Sequence, residues 1–198
     1  ELLDIRLNVL DPYVDKFVLV EAAKTQTLKD KPFVFEENKE KYNKFLNKIV
    51  HVKLEKQDCP IGDFTQVNYD WGMENFQRNS AKLGVERING MVPDDIVLIS
   101  DLDEIPNLTE LEINKKTILD NQVSSFTQNT FSYYLNMQCY DVGIVADTKK
   151  VSRHSLGVTR GVLNAYSPQE LWGLRNDTTS HETPRGWHFS FMGGPQKV

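Results

Sequence analysis

The chain has 198 residues, enough for one domain with a sizeable core. A net charge of −5 and a pI near 5.4 argue against a general nucleic-acid binder or a ligand for anionic membranes. No apolar run approaches the ~20 residues of a membrane span, and the mean hydropathy of −0.46 is that of an ordinary soluble globular chain.

The elements follow in chain order. Phe17-Val18-Leu19-Val20 is a short apolar run ending at Glu21, a strand whose carboxyl end carries an acid. Residues 35–48 are charged, with Tyr42, Phe45 and Leu46 at helical spacing, and read as a surface helix. Residues 49–54 form the next strand. Asp70 can cap a helix over 71–83, with Met73, Phe76, Ser80 and Leu83 on one face. Pro93-Asp94-Asp95 is a turn that feeds the strand Ile96-Val97-Leu98-Ile99. Four consecutive apolar residues predict burial on both faces, as in a parallel sheet.

That strand runs into Asp101, Asp103 and Glu104. In open α/β sheets ligands bind outside the carboxyl ends of strands. On an extended backbone Asp101 and Asp103 point to the same side. Two carboxylates held so close repel unless a cation joins them, and a hard divalent ion with open positions for phosphate oxygens is the natural partner. The plain alternative is a solvated acidic loop.

Residues 108–120 predict a helix. Then Phe131, Tyr133, Leu135 and Met137 alternate with polar residues, a half-buried strand. Residues 142–146 and 187–191 are further strands, and 175–185 is a polar, turn-rich loop expected to be mobile. Helix-linked strands come first and mostly strands later, which predicts an α/β domain with a mixed sheet. It reads as a single domain over 1–198, with 1–106 binding a nucleotide and 107–198 building an acceptor groove.

Two more constellations carry chemistry. Glu74 and Arg78 are four apart on a helix, either a surface ion pair or a device in which Glu74 orients Arg78 toward a phosphate or the acid cluster. In 186–194, Trp187 and Phe189 are core residues or a platform under a sugar face. His188 is a satisfied strand histidine or lies near phosphate or metal. Gly193 and Gly194 let the backbone approach a ligand. His154 and His181 have no partner at metal-site spacing. Cys59 and Cys139 form no disulfide framework and lack metal spacing, which predicts a reducing compartment. Asn107 and Asn176 open glycosylation-type triplets, a pattern that arises often by chance. Hydrolase elbows, Walker loops and dinucleotide fingerprints are missing.

Glu1-Leu2-Leu3-Asp4-Ile5-Arg6-Leu7-Asn8-Val9-Leu10 and the segment Val14 onward to Glu21 resemble the amino-terminal pattern of glycosyltransferase family 17. Residues 71–79, 100–106 and 186–194 are similar to its later blocks, in the same order. This is the family of the β-1,4-mannosyl-glycoprotein N-acetylglucosaminyltransferases. The resemblance implies a GT-A-type fold: a Rossmann-like mixed sheet flanked by helices, with an Asp-x-Asp metal site. The chain opens at Glu1 in a patterned segment, so it is expected to be a fragment lacking the first strand and the C-terminal end.

On that pattern Asp101 and Asp103 hold the metal, Mn²⁺ or Mg²⁺, and Asp101 also faces the donor ribose. Glu21, Arg78, Asn79, Trp187 and Gly193 line the nucleotide-sugar pocket. Glu104, Arg78 and His188 are the catalytic candidates, with Asp141 and Glu182 as further bases. The implied reaction is inverting transfer of N-acetylglucosamine from UDP-GlcNAc to a glycan hydroxyl. The implied partners are a nucleotide sugar and a glycan acceptor. Compartment is open, since animal members are Golgi proteins while microbial or viral ones would be cytoplasmic. Two rivals are nucleotidyl transfer that makes a nucleotide sugar, and non-catalytic carbohydrate binding on Trp71, Trp172 and Trp187.

Overall fold

The computed structural model describes residues 1–60, 71–141, 148–149, 151–180 and 185–193. The chain opens with helix α1 (Leu2–Leu10). Strand β1 (Phe17–Ala22), helix α2 (Val34–Glu37), a 3-10 segment (Lys39–Phe45) and strand β2 (Ile49–Leu54) follow. Helices α3 (Gly72–Asn79) and α4 (Ala81–Glu86) precede strands β3 (Ile96–Ile99) and β4 (Glu104–Pro106). Next come helix α5 (Leu111–Asn121) and the long strand β5 (Val123–Ser132). Strands β6 (Tyr140–Asp141) and β7 (Thr148–Lys149) pair with each other, and β8 (Val151–Thr159) runs into helices α6 (Arg160–Ala165) and α7 (Pro168–Gly173). Strands β9 (Thr179–Ser180) and β10 (Gly186–Ser190) are the last elements described.

These elements fall into two compact units. One comprises Glu1–Tyr13, Val92–Tyr166 and Glu170–Val198. Its sheet runs β3-β8-β5-β10-β4, with β9 added to β5. The β5–β10 pairing is parallel, while β3–β8, β5–β8 and β10–β4 are antiparallel, so the sheet is mixed. Helix α5 packs on β5 and β8, and α6 on β3 and β8. Phe126, Ile118, Leu156 and Val158 are all nearly fully buried, and they form the apolar side of that packing. The result is the α/β class with a mixed sheet flanked by helices, consistent with a Rossmann-like fold.

The other unit comprises Val14–Met91 and Ser167–Gln169. Strands β1 and β2 pair in parallel from Phe17↔Ile49 to Ala22↔Leu54. Ala22, Val52, Leu54, Cys59 and Met73 form its core, with Val18, Val20, Leu28 and Phe76 packed against them. Helix α4 comes so close to this pair that a Cβ at Gly84 would lie 2.3 Å from Val18 Cγ1.

Several local expectations need correction. The helix over 35–48 is a short α2 and a 3-10 segment, broken at Asn38 (φ −114°) and Tyr42 (φ −109°). The Asn38 amide donates to the Val34 carbonyl at 2.8 Å, a local bond that competes with the helical ladder. The helix over 71–83 splits at Ser80, whose hydroxyl donates to the Phe76 carbonyl at 2.8 Å and bends the chain there. The bend turns Leu83 outward and buries Gly84 and Val85 instead. The Asp70 cap lies outside the described residues.

Strand β3 is an end strand of its sheet, antiparallel to β8, and only Ile99 of its four residues is buried. The alternating pattern of 131–137 is a strand end followed by a turn, since Tyr133 at φ 67° reverses the chain. The strand proper lies upstream, over polar residues: Ser124, Ser125, Gln128 and Thr130 are all buried in β5. The Gln128 amide donates to the Ser155 hydroxyl at 2.8 Å, while its Oε1 is buried without a hydrogen-bond partner. The expected strand at 142–146 lies outside the described residues. Within the loop predicted over 175–185, a 3-10 turn (Leu174–Asn176) and β9 are ordered elements.

Candidate functional site

The acidic run leaves β3 as a turn, not as extended chain. The Glu104 N–H donates to the Asp101 carbonyl at 3.2 Å, closing a four-residue turn over Asp101-Leu102-Asp103-Glu104. The premise that put Asp101 and Asp103 on one side of an extended strand therefore fails. The turn is braced instead. The Asp101 N–H donates to Glu104 Oε2 at 3.0 Å, and the Phe189 N–H of β10 donates to the Asp103 carbonyl at 2.9 Å.

Arg6 of α1 supports the turn from within the same unit. Its Nη1 donates to the carbonyls of Asp101 at 3.0 Å and Glu104 at 2.5 Å, and its Nη2 to the Ser100 hydroxyl at 2.5 Å. Burial pushes the Arg6 guanidinium below its ordinary range, and the charges of Glu104, Asp101 and Asp103 push it back up. A cation sited among three carboxylates keeps them together despite their repulsion.

Glu104 begins β4 and is 3% exposed. The antiparallel register places His188 of β10 directly opposite it, so both side chains share one face of the sheet. His154 arrives from β8. In the β5–β8 pairing Thr127 faces Arg153 but Ser125 faces Leu156, so one residue of β5 opposes two of β8, His154 and Ser155. Bulges of this kind re-aim side chains near active sites.

The cluster has short contacts. His154 Nδ1 lies 3.1 Å from Glu104 Oε1, and His188 Nε2 lies 3.5 Å from Asp103 Oδ2. The Ser190 hydroxyl is 3.1 Å from His188 Nε2. The two imidazole rings sit 4.0 Å apart between centroids. Glu104, His154 and His188 each offer one ligand atom, and these atoms lie within 4.8 Å of one another. The Asp103 side chain is 34% exposed, the open side of the group.

The other residues expected at the site lie elsewhere. Trp187 neighbours His188 on β10, so strand alternation sends it to the opposite face. Gly193 follows β10 at φ +112°, and its N–H donates to the Tyr133 carbonyl at 3.1 Å. Glu21, Arg78 and Asn79 belong to the β1–β2 unit. Glu21 is 8% exposed; its Oε1 accepts from the Phe35 N–H at 2.9 Å, and its Oε2 is 3.3 Å from His51 Nε2. The Glu74–Arg78 pair forms at 2.8 Å, and with an Arg78 side chain only 7% exposed it is not a surface pair. Arg78 also donates to Gln169 Oε1, and Asn79 Oδ1 accepts from the Gln169 N–H at 2.9 Å. The side chain of Asp141 and all of Glu182, His181 and Gly194 lie outside what the structure describes.

Sequence reasoning missed His154 and the role of Arg6. Neither stands at a recognisable spacing from the acids. The one available signal for His154 was the alternation of small and apolar residues over Ser155-Leu156-Gly157-Val158 just after it, which marks a strand.

Carboxylates and imidazoles thus gather where a strand leaves the sheet of a mixed-sheet α/β protein, the region where such folds bind ligands. The chain belongs to glycosyltransferase family 17, whose family model matches residues 1–155 of the 198. The match includes Arg6, Asp101, Asp103, Glu104 and His154, while His188 lies beyond it. No curated protein matches the chain. Among the described residues no helix is long and apolar enough to cross a membrane.

Proposed function

We propose that this glycosyltransferase moves N-acetylglucosamine from UDP-GlcNAc to a glycan hydroxyl by a metal-dependent, inverting displacement. Family membership supports the transfer reaction. The observation that carries the metal-dependent reading is Asp103, partly exposed at the turn that leaves β3 and 3.5 Å from an imidazole. The residues present suit a divalent cation: Glu104, His154 and His188 each offer a ligand atom, these atoms lie within 4.8 Å of one another, and Asp103 is 3.5 Å from His188. A divalent ion bound by Asp101 and Asp103 would supply Lewis acidity to the leaving diphosphate.

The chain's own groups do the rest. Arg6 fixes the main chain of the acidic turn, so the carboxylates need little reorganisation when a donor arrives. His188 sits between Asp103 and Ser190, contacts that support a role for it toward a phosphate oxygen or the ion. Glu104 has both oxygens engaged, by the Asp101 N–H and by His154, and is nearly fully buried. That suits orienting the turn, not taking a proton from an acceptor hydroxyl. Glu21, Arg78 and Asn79 keep their donor-binding role in this reading as residues of the β1–β2 unit.

The test is UDP release from UDP-GlcNAc with a branched N-glycan acceptor and Mn²⁺, comparing wild type with Asp103→Asn. Wild type should turn over and the variant should lose at least about 100-fold, the scale of removing one preorganised electrostatic contact. Equal rates would sink the assignment of Asp103.

A further inference from the structure

We propose that Tyr133 and Phe191 form an aromatic platform for an oligosaccharide acceptor, seating a sugar residue next to the one that carries the reacting hydroxyl. The platform deepens the function proposed above and rests on it for what the bound glycan does, though not for whether the glycan binds. Strand directions set its position. β3 is antiparallel to β8, β8 is antiparallel to β5, and β5 is parallel to β10, so β3, β5 and β10 all point the same way. Their carboxyl ends share one edge of the sheet, the edge where such folds bind ligands. The acidic turn follows β3, Tyr133 is the first residue past β5, and Phe191 is the first past β10. The bond from the Phe189 N–H to the Asp103 carbonyl, at 2.9 Å, ties the turn to β10. Phe191 lies two residues further on, within about 7 Å along the chain, a length comparable to that of a single sugar residue.

The backbone at both positions is strained. Tyr133 has φ +67° and Phe191 has φ +54°. Left-handed backbone is free to glycine and costly to a bulky side chain, so an aromatic ring at both places calls for a compensating use. The main chain locks the pair. The Tyr133 N–H donates to the Ser190 carbonyl at 3.0 Å, and the Gly193 N–H donates to the Tyr133 carbonyl at 3.1 Å. The rings stack with centroids 6.1 Å apart and planes 26° apart. Stacking does not bury them, since Phe191 is still 59% exposed and Tyr133 is half-buried.

Chemistry and area select the occupant. The C–H face of a pyranose is an apolar plane that lies on a flat ring, while its hydroxyls stay free for polar groups at the rim. Ser190 and the partly exposed Asp103 supply such groups at the same edge. A second copy of this chain needs more surface. Tyr133, Phe191 and the exposed Tyr134, Leu135 and Met137 of the adjoining turn offer at most about 600 Å², against about 800 Å² per partner in a stable complex. Binding energy from a sugar remote from the reacting hydroxyl orients the acceptor, so a monosaccharide that cannot reach the platform turns over poorly.

The experiment uses the full chain and a branched N-glycan, without donor or metal. Saturation-transfer NMR with irradiation of the aromatic protons should mark sugar C–H protons, and titration calorimetry gives the affinity. Phe191→Gly should bind the glycan at least about tenfold more weakly, the scale of one lost aromatic contact, while Phe191→Tyr should keep most of the affinity. Glycine accepts a φ of +54°, so the fold should be kept, which circular dichroism checks. If it is not, the wild-type saturation transfer decides alone. In turnover assays the wild type should favour the glycan over methyl α-mannoside in kcat/KM, and Phe191→Gly should narrow that preference at least about tenfold. Absent saturation transfer, unchanged glycan affinity in Phe191→Gly, or loss of a dimer in place of loss of glycan binding would overturn the platform. Glycan binding that needs Phe191, in a chain that does not turn over UDP-GlcNAc, would leave the platform standing and overturn the donor assignment.

Discussion

Arg6→Met tests whether a single buried cation holds the acidic turn. Methionine keeps an apolar stem of similar reach on α1 and removes only the guanidinium. Three hydrogen bonds vanish: to the carbonyls of Asp101 at 3.0 Å and Glu104 at 2.5 Å, and to the Ser100 hydroxyl at 2.5 Å. Each charged bond is worth about 1.5–3 kcal/mol in isolation, but the three share one group and are not additive. Breaking an enclosed ionic cluster costs about 3–5 kcal/mol. Part returns because the variant no longer desolvates Arg6, the same burial that pulls its pKa below the ordinary range. A net loss near 3 kcal/mol follows. With a urea dependence of about 2 kcal/mol per molar, the midpoint should fall by about 1.5 M. Tryptophan fluorescence reports on this unit through Trp172 and Trp187. Arg6→Lys should recover only part, because a single ammonium cannot span three acceptors as a planar fork does. A midpoint shift under about 0.3 M for Arg6→Met, or full rescue by lysine, would refute the reasoning.

Gly186→Ala should cost about 2–5 kcal/mol, from a φ of +140° and a Cβ placed 2.3 Å from the Ile105 carbonyl oxygen and 2.9 Å from Pro106 Cα. Thermal unfolding measures it, and a neutral result would mean that β10 and β4 can move apart freely. Cys59 is 4% exposed, its Sγ donates to the Glu55 carbonyl at 3.3 Å, and burial pushes its thiol pKa up. A raised pKa means less thiolate at a given pH, so at pH 8 a disulfide reagent should titrate Cys139 alone in the native chain and both cysteines in urea.

The readable parts of this fold were those set by local chemistry. Apolar runs at 17–20, 49–54 and 96–99 gave real strands because a run of branched apolar residues has few other uses. Strand β5 was illegible for the opposite reason. Its inward residues include Ser124, Ser125, Gln128 and Thr130, whose burial depends on partners such as Ser155 supplied from β8. The acids at 101, 103 and 104 were visible, but their shape was not. Whether they continue as strand or close a turn depends on Arg6, some 95 residues upstream of Asp101. His154 was invisible because its partner, Glu104, is set by sheet register and a bulge, neither of which leaves a spacing in the sequence.

The site's integrity rests in part on a short pairing of the sheet. Arg6, the turn after Ile99, Glu104, His154 and His188 come from five segments that meet in one unit. Arg6 and the β3 turn are joined by side-chain hydrogen bonds, and β8 is held along its length by β3 and β5. His188, however, reaches Glu104 through a β10–β4 pairing only three residues long: Gly186↔Pro106, Trp187↔Ile105 and His188↔Glu104. Only glycine fits at its first position, and the Arg185–Glu110 ion pair and the Asn107 N–H to Arg185 carbonyl bond close it just outside. A ladder of only three residues, with such tight steric demands, is the pairing most sensitive to any change at its edges. Anything bound between Glu104 and His188 would bridge that ladder from both sides. Ligand binding and order of the last strand are therefore coupled, and a cation at the cluster should raise hydrogen-exchange protection in β10 more than in β8.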